Sequence, residues 1–559
     1  MLIEEQILLV IKMIFGIVIV FSFIEGWGIL ISKYLIKNIK SFSLWDNFWI
    51  GFAILIFLLQ VVHLFLPINL FISYIFVGIG ILVLFFHFKK NILNKSWFFL
   101  KRKWNLCFLV FIMLIFVSNV FYSDSLGYDF GLYYRQMMNW IQNSSIVLGL
   151  ANVHGRFGFN NASFLLASLV DNLNIIPQSF RFLTASSYLF LLGYSFYNMY
   201  IMFKSKKRCL TYLYWTFSSV FIIWSIFYRH GEYFVNVSPD SFVFILELVA
   251  GGYLIKAFEE RAFDKTYFVI LPVLLVLFCI KLSTAVFVLV SLLIIFISLL
   301  RWNKTIFSQK IFWLFSILFG ILTSIWFIRS ILLTGFPLYP SIFLGLDLSW
   351  SVGITQAKSE MDWIMSWARI PQIEPSDVLG NSAWFTQWFD EQKTSAYLVI
   401  TILSSITILL ISICKNFLKN RYLILMIIPI SSICYWFVNA PTLRFVYASL
   451  WICMIYAVIV FIDTYGKKLE NIIVFIPLFL VFLATISSGY GVIDFESYSK
   501  NLLYKEVKLE KLFEEDNHTV YIPTKGDQCW NSEFICVPVK NIDFNIIYGT
   551  KGEIRKITK

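Results

Sequence analysis

The chain has 559 residues, 59% of them hydrophobic and only 14% charged, with a formal net charge of +12. Ordinary soluble domains carry about 25% charged residues, and a soluble core stops growing near ~250–300 residues, so the composition excludes a soluble globular protein. The basic residues alternate with long apolar runs, which makes the positive charge a signal of membrane topology and leaves nucleic acid out as a partner.

A bilayer core needs about 20 apolar residues per helix. Segments 209–227, 283–300, 395–414 and 471–488 approach or reach that length without a charge. The runs are continuous rather than alternating, which argues against a barrel. Hydropathy predicts about fourteen helices, at 7–31, 45–66, 70–88, 105–122, 181–203, 209–227, 241–257, 267–280, 283–300, 311–330, 395–414, 422–438, 445–463 and 471–488. Residues 267–300 read either as two short helices turning at Lys281 or as one long helix.

The connections fall into two sets. One holds Lys33, Lys37 and Lys40, the six basic residues of 89–103, and the cluster Lys204, Lys206, Lys207 and Arg208. It continues through Lys256/Arg261/Lys265, Arg301/Lys304/Lys310, Lys415/Lys419/Arg421 and Lys467/Lys468, for 24 basic residues in all. The opposite set, without the tail, holds eight: Arg135, Arg156, Arg229, Lys281, Lys358, Arg369, Lys393 and Arg444. Short basic loops stay in the cytoplasm. Segments 123–180, 331–394 and the tail 489–559 are therefore expected outside, with the N-terminus and its Glu4 and Glu5. No cleavable signal peptide is expected, because the first apolar run is too long and lacks a small-residue cleavage site. The chain divides into an N-terminal transmembrane extension of about three spans (1–104), a transmembrane core (105–488) and a C-terminal module (489–559).

The first outer segment opens with Asp124 and Asp129. Tyr133, Met137, Trp140 and Ile141 then recur at helical spacing, which predicts a helix over 130–142 lying in the interface. Asp129, just ahead of it, is either its N-cap or a carboxylate placed to deprotonate an acceptor hydroxyl. In Asn152-Val-His154-Gly-Arg156-Phe-Gly-Phe-Asn160, the glycines imply tight turns that hold a His, an Arg and asparagines beside the bilayer. Arginine suits phosphate; the alternative is an ordered loop whose polar groups bond one another.

Further along lie Arg229-His-Gly-Glu232, Ser238-Pro-Asp240, Lys281, Arg329 and Arg444. Singly, such residues read as interfacial anchors or snorkelling cations. Together they place carboxylates and cations on one side of the membrane. The second outer segment, 331–394, carries Trp350, Trp363, Trp367, Trp384 and Trp388, which suits the headgroup belt or sugar stacking. In the tail, Thr519-Val-Tyr-Ile-Pro and Phe534-Ile-Cys-Val-Pro-Val alternate as strands do, which predicts a small α+β extracytoplasmic module. Cys529 and Cys536 form a disulfide if the tail is outside and a free pair if it is inside.

These residues carry a resemblance. YDFGLYYRQMMNWI, GLANVHGRFGFN, SPD, IKLS, TGFPLYPS, WARIP, APTLRF and GDQCWNSEFICVP resemble a group of uncharacterised bacterial polytopic membrane proteins associated with surface-polysaccharide loci. A basic cytoplasmic cluster, one span and then an outer loop bearing Tyr128-Asp129 also looks like the GT-C superfamily of polyprenyl-phosphate-sugar-dependent glycosyltransferases. The resemblance implies an all-α polytopic membrane protein with a GT-C-like core and outer interfacial helices. It also implies a bacterial cytoplasmic membrane with the active side facing outward.

By the same resemblance, Asp129 matches the superfamily's catalytic Asp and Asp240 a second acidic residue. Asp124, Tyr133, Arg135, His154, Arg156, Asn160, Arg229, Glu232, Lys281 and Arg444 are then the substrate-binding candidates. The implied partners are the lipid bilayer, a lipid-linked sugar and a glycan or lipid acceptor. No cofactor is implied: neither a P-loop nor a Rossmann glycine motif occurs, and a divalent metal stays open. The departure is the three spans before residue 105, since GT-C enzymes place that loop after their first span. An O-antigen-type polymerase or ligase is the alternative enzyme. A transporter or flippase is the alternative class, and it would set charges at mid-membrane within paired repeats.

Overall fold

The computed structural model describes residues 2–36, 42–88, 117–118, 120–124, 126–205, 209–227, 231–392, 405, 420–465, 501–515, 518–532, 535–537, 544–548 and 554–558. Among the described residues, nine helices are long and apolar enough to cross a membrane. They are Ile7–Tyr34, Leu44–His63, Leu70–His87, Leu210–Phe227, Pro239–Glu260, Leu282–Trp302, Lys310–Thr334, Arg421–Asn439 and Tyr447–Tyr465. A tenth predicted span is the helix Arg181–Ser205, and an eleventh is the 14-residue apolar helix Tyr267–Ile280. Predicted spans 395–414 and 471–488, and most of 105–122, lie outside the described residues.

The apolar run 267–300 folds as two helices, and Lys281 is the turn between them. Its backbone is extended (φ −151°, ψ 120°), and the Thr284 hydroxyl donates to the carbonyls of Leu277 and Lys281 at 3.1 and 2.8 Å. The second helix then returns alongside the first, because Trp302 at its far end packs on Phe258 and Phe263, which precede Tyr267. A charged residue flanked by spans has to leave the hydrocarbon or find a partner. Here it ends the helix.

The N-terminal helices share one continuous core with the rest. Phe48 packs against Phe190, Phe52 against Phe242, and Phe57 edge-on against Phe319. The bundle has two polar ends. At one, Ser43 and Asp46 form a reciprocal capping box at the start of Leu44–His63. There Lys265 reaches Asp46 at 2.7 Å and the Tyr253 hydroxyl donates to it at 2.8 Å. At the other, the ends of Leu44–His63, Tyr267–Ile280 and Lys310–Thr334 meet the starts of Pro239–Glu260 and Tyr447–Tyr465. Buried Arg329 lies 2.9 Å from His63 Nδ1 and 3.3 Å from Asn160 Oδ1 at this end.

Short helices cover this second end. The predicted helix over 130–142 is a wide π-helical turn, Phe130–Tyr134, running into Arg135–Asn143. Tyr133, Met137 and Ile141 face inward, as their spacing requires. Ile354–Arg369 carries Trp363 and Trp367 of the second segment, and Trp384–Gln392 carries Trp384 and Trp388. The tail supplies strands: Leu509–Glu515 pairs antiparallel with His518–Pro523, which pairs parallel with Ile535–Cys536. Phe544–Tyr548 and Ile554–Thr558 form a separate antiparallel pair. Cys529 and Cys536 are disulfide-bonded.

The disulfide loop docks on the 130–143 helix and the residues just ahead of it. The Trp530 amide donates to the Gly131 carbonyl at 2.9 Å, and the indole lies where a side chain on Gly131 would have to be, 2.5 Å from an ideal Cβ. Glycine is needed for this approach. Gln136 donates to the carbonyls of Trp530 and Ser532 at 2.9 and 3.0 Å, and Tyr128 donates to the Asp527 carboxylate.

Candidate functional site

Asp129 belongs to the first turn of the 130–143 helix, yet its side chain makes no capping bond. Both oxygens are used otherwise. Arg156 Nη1 lies 2.8 Å from Oδ1 and Arg444 Nη1 lies 3.1 Å from Oδ2. Arg444 Nε stands 3.7 Å from Asp240 Oδ2, and Lys281 Nζ pairs with Asp240 Oδ1. On the far side, Arg156 Nε is 3.9 Å from Glu360 Oε1. Six side chains thus form a chain of alternating charge: Glu360, Arg156, Asp129, Arg444, Asp240 and Lys281. The aspartates are its least exposed members, at 12% and 5%, while Arg444 reaches 41%. Solvent therefore meets the guanidinium first.

Each member is placed by local structure. Asp240 sits in the first turn of Pro239–Glu260, whose start is set by Ser238 accepting from the Asp240 amide and by proline at N1. Lys281 is delivered by the helix break, and its ammonium lies 3.5 Å from the centroid of the Phe445 ring, a cation–π contact. Arg444 rides on the one-turn helix Leu443–Phe445. Its loop is pinned by the indoles of Trp388 and Trp436, which donate to the carbonyls of Pro441 and Thr442 at 2.8 Å each. Arg369, from the WARIP stretch, donates to the carbonyls of Asn439 and Val438 at 2.9 and 2.6 Å. Residues of the 331–394 segment thereby hold the loop that carries Arg444.

Arg156 lies over the Tyr133 ring, 5.5 Å from its centroid. The His154 Nδ1 accepts from the Arg156 amide at 3.3 Å. Burial, reinforced by the Arg156 charge, pushes the His154 imidazole down to about 3, so it is neutral here. Burial opposes the charge on Arg444, but Asp240 and Asp129 outweigh it and hold the guanidinium above the usual arginine range. Burial also lifts the Glu360 carboxyl above the ordinary range, against the pull of Arg156.

The structure brings together Asp129, Asp240, Arg156, Lys281 and Arg444, with His154 and Tyr133 at their edge. It places other candidates elsewhere. Arg135 pairs with Asp171 at 2.6 Å, donates to Asn531 and lies over Tyr504, so it anchors the tail. Asn160 takes a left-handed conformation (φ 50°) and bonds with Trp326 and Arg329, which makes it a helix-end lock. Asp124 is exposed, and its charge acts on Arg181 rather than on the chain of six. Glu232 lies against Gly127. Arg229 falls outside the described residues.

Two acidic residues at or near this site, Glu360 and Glu247, were not singled out in the sequence. Glu360 hides in an amphipathic helix with Trp363 and Trp367, and no local signal marks it. Glu247 did carry a signal, a charge inside a span; it lies two turns along the helix from Asp240 and accepts from the Ser449 hydroxyl at 2.7 Å. Among the described residues, no three His, Cys, Asp or Glu side chains converge to hold a metal ion.

Fold and site together define a multi-pass α-helical membrane protein with a charged cluster at one end of its bundle. The chain belongs to the family described as a domain of unknown function (DUF8201), which matches residues 8–451. That range takes in all six residues of the charge chain. No curated protein and no solved structure matches it.

Proposed function

We propose that this protein is a membrane glycosyltransferase that moves a sugar from a polyprenyl-phosphate donor to a cell-surface glycan or lipid-linked acceptor. The observation that carries the reading is the bridge of Asp129 and Asp240 by Arg444 at one end of the bundle. Such a transfer needs a cation where the leaving phosphate gains charge and a carboxylate where the acceptor hydroxyl loses its proton. Arg444, the most exposed cation of the six charged side chains, meets the phosphate. As it turns from Asp129 to the phosphate, that carboxylate is released to act as base. Lys281 holds Asp240 in place, and Asp240 keeps Arg444 charged and oriented.

The reading includes about fourteen spans around a GT-C-like core, in a bacterial cytoplasmic membrane with the site and tail facing outward. The concentration of 24 basic residues in one set of connections against eight in the other supports this orientation. No cofactor is invoked, and Asp129 and Asp240 face cations.

The test is the lipid-linked oligosaccharide profile of a strain that lacks the protein. A glycan missing one sugar, restored by the wild-type chain and not by Asp129→Asn, is the expected result. Complete but unpolymerised units would move the assignment to a polymerase or ligase. Complete units retained on the cytoplasmic side would move it to a flippase.

A further inference from the structure

The Nε edge of Arg156 faces away from Asp129 and into a second group of side chains. Glu360, on the helix Ile354–Arg369, reaches across the Gly155 backbone. Its Oε2 lies 2.5 Å from an ideal Cβ on Gly155, and the Tyr339 hydroxyl lies 3.1 Å from the same point. Any side chain at 155 would fill this space. Tyr339 is 2% exposed, and its hydroxyl has no hydrogen-bond partner. The neighbouring His154 Nε2 is buried and equally unpartnered. A buried hydroxyl left unpaired costs free energy, and its presence beside a guanidinium points to a ligand that would use both.

Glu360 answers that description poorly. Its oxygen sits 3.9 Å from Arg156 Nε, beyond hydrogen-bond reach, and it leaves the Tyr339 hydroxyl unused. Its helix turns Ile354, Trp363 and Trp367 outward, at 63%, 37% and 48% exposure. That apolar face suits the surface of a bilayer, so the helix that carries Glu360 lies between lipid and the Arg156 guanidinium.

We propose that Gly155, Arg156 and Tyr339 form a cradle for the phosphate monoester of an isoprenyl lipid, and that Glu360 is a resident carboxylate which that phosphate displaces. The phosphate takes the Nε edge of Arg156 and accepts from the Tyr339 hydroxyl, while the Nη1 edge keeps Asp129. The helix Ile354–Arg369 swings Glu360 aside, and its tryptophans stay against the lipid chain. This inference rests on the transferase reading and assigns the subsite that keeps the lipid monophosphate once the sugar has left it.

The test uses the purified full-length protein in detergent, with farnesyl phosphate, farnesol and inorganic phosphate as probes and binding followed by tryptophan fluorescence. Farnesyl phosphate should bind more tightly than farnesol. Glu360→Gln, close to isosteric, removes the competing charge and should tighten farnesyl phosphate about fivefold, as expected for one partly exposed ion pair, without changing farnesol. Arg156→Gln should erase the preference for the phosphate. Tyr339→Phe, which keeps the buried ring, should weaken farnesyl phosphate about tenfold, as for a hydrogen bond to a charged group.

Unchanged or weaker binding in Glu360→Gln, with the fold confirmed by its thermal midpoint, overturns the proposal. So does a phosphate preference that survives Arg156→Gln. Displacement of farnesyl phosphate by an equal concentration of inorganic phosphate would assign the cradle to free phosphate and overturn the lipid source. The two readings fail separately. Binding as expected in a protein that transfers no sugar keeps the cradle and removes the transferase. Sugar transfer with Glu360→Gln indifferent to the probe removes the cradle alone.

Discussion

Arg444 Nη1 stands 3.1 Å from Asp129 Oδ2, which joins the loop before the helix Tyr447–Tyr465 to the first turn of the 130–143 helix, about 300 residues earlier in the chain. Both residues lie where spans emerge, and neither contact is local. The carboxylate faces two guanidinium groups and makes no bond to a backbone amide of the helix, which removes the helix-cap reading of Asp129. Asn caps about as well as Asp, so a cap would tolerate Asp129→Asn. A general base would not: the variant should cut glycan formation by roughly 10²–10⁴-fold while the protein still folds. Asp124→Asn, at an exposed position, is the control and should keep normal output. Normal glycan levels from Asp129→Asn would move the search for the base to Asp240.

Arg444→Lys keeps one charge but loses the fork that reaches two carboxylates. Transfer should fall by roughly 10²-fold, the cost of one preorganised donor to developing charge. Initial rates in membrane vesicles from a strain lacking the chromosomal copy would show this. A rate equal to wild type would mean that Arg444 serves only to hold the loop.

Asp240 and Lys281 are a partly buried ion pair, so removing one partner should cost more than removing both. Asp240→Asn or Lys281→Met alone should destabilise the protein by about 2–4 kcal/mol, and the double variant should recover much of that loss. Thermal midpoints of the four proteins in one detergent close the cycle. Additive losses would show that the two side chains are uncoupled.

His154 faces Arg156, Asp129 and the Tyr133 ring, and in the folded protein it takes a proton only near about 3. In the unfolded chain it takes one near ~6.5. The unfolded state thus binds the extra proton first, and His154 contributes stability above about pH 6.5 that is lost as pH falls toward 3. His154→Gln should flatten this part of the stability–pH curve. It should leave the shape of any activity profile between about pH 6 and 8 unchanged, because the imidazole stays neutral there. An unaltered stability curve would mean that the ring is solvated.

The tail is held through Gly131. Gly131→Val would push a side chain into the Trp530 indole and should release the tail, so that trypsin cuts faster after Lys505, Lys508 and Lys525. Trp530→Ala should do the same without touching the helix. A tail equally protected in both variants would show that the remaining bonds, led by Gln136 to Trp530 and Ser532, suffice. The side of the membrane is read separately. A single cysteine at exposed Lys525, in a background without Cys529 and Cys536, should react with an impermeant thiol reagent in intact cells, and labelling only after lysis would invert the topology.

The sequence by itself determined the membrane class and most helix positions, because spanning a bilayer needs long uncharged runs and these survive any packing arrangement. It also marked the turn at Lys281 and the strands around Thr519 and Ile535, where charge placement and alternation are local signals. The site was half legible. Asp129, Asp240, Arg156, Lys281 and Arg444 could be named because polar residues at span ends are costly. Hydropathy could not say which of them meet, nor that Arg135 and Asn160 serve the tail and a helix end instead. Those choices depend on how the helices cross, and on loops pinned by side chains far away in the chain, such as Arg369 and Trp388 under Arg444. Glu360 shows the limit most plainly: it shares a helix with exposed Trp363 and Trp367, and only the tertiary structure turns it inward onto Arg156.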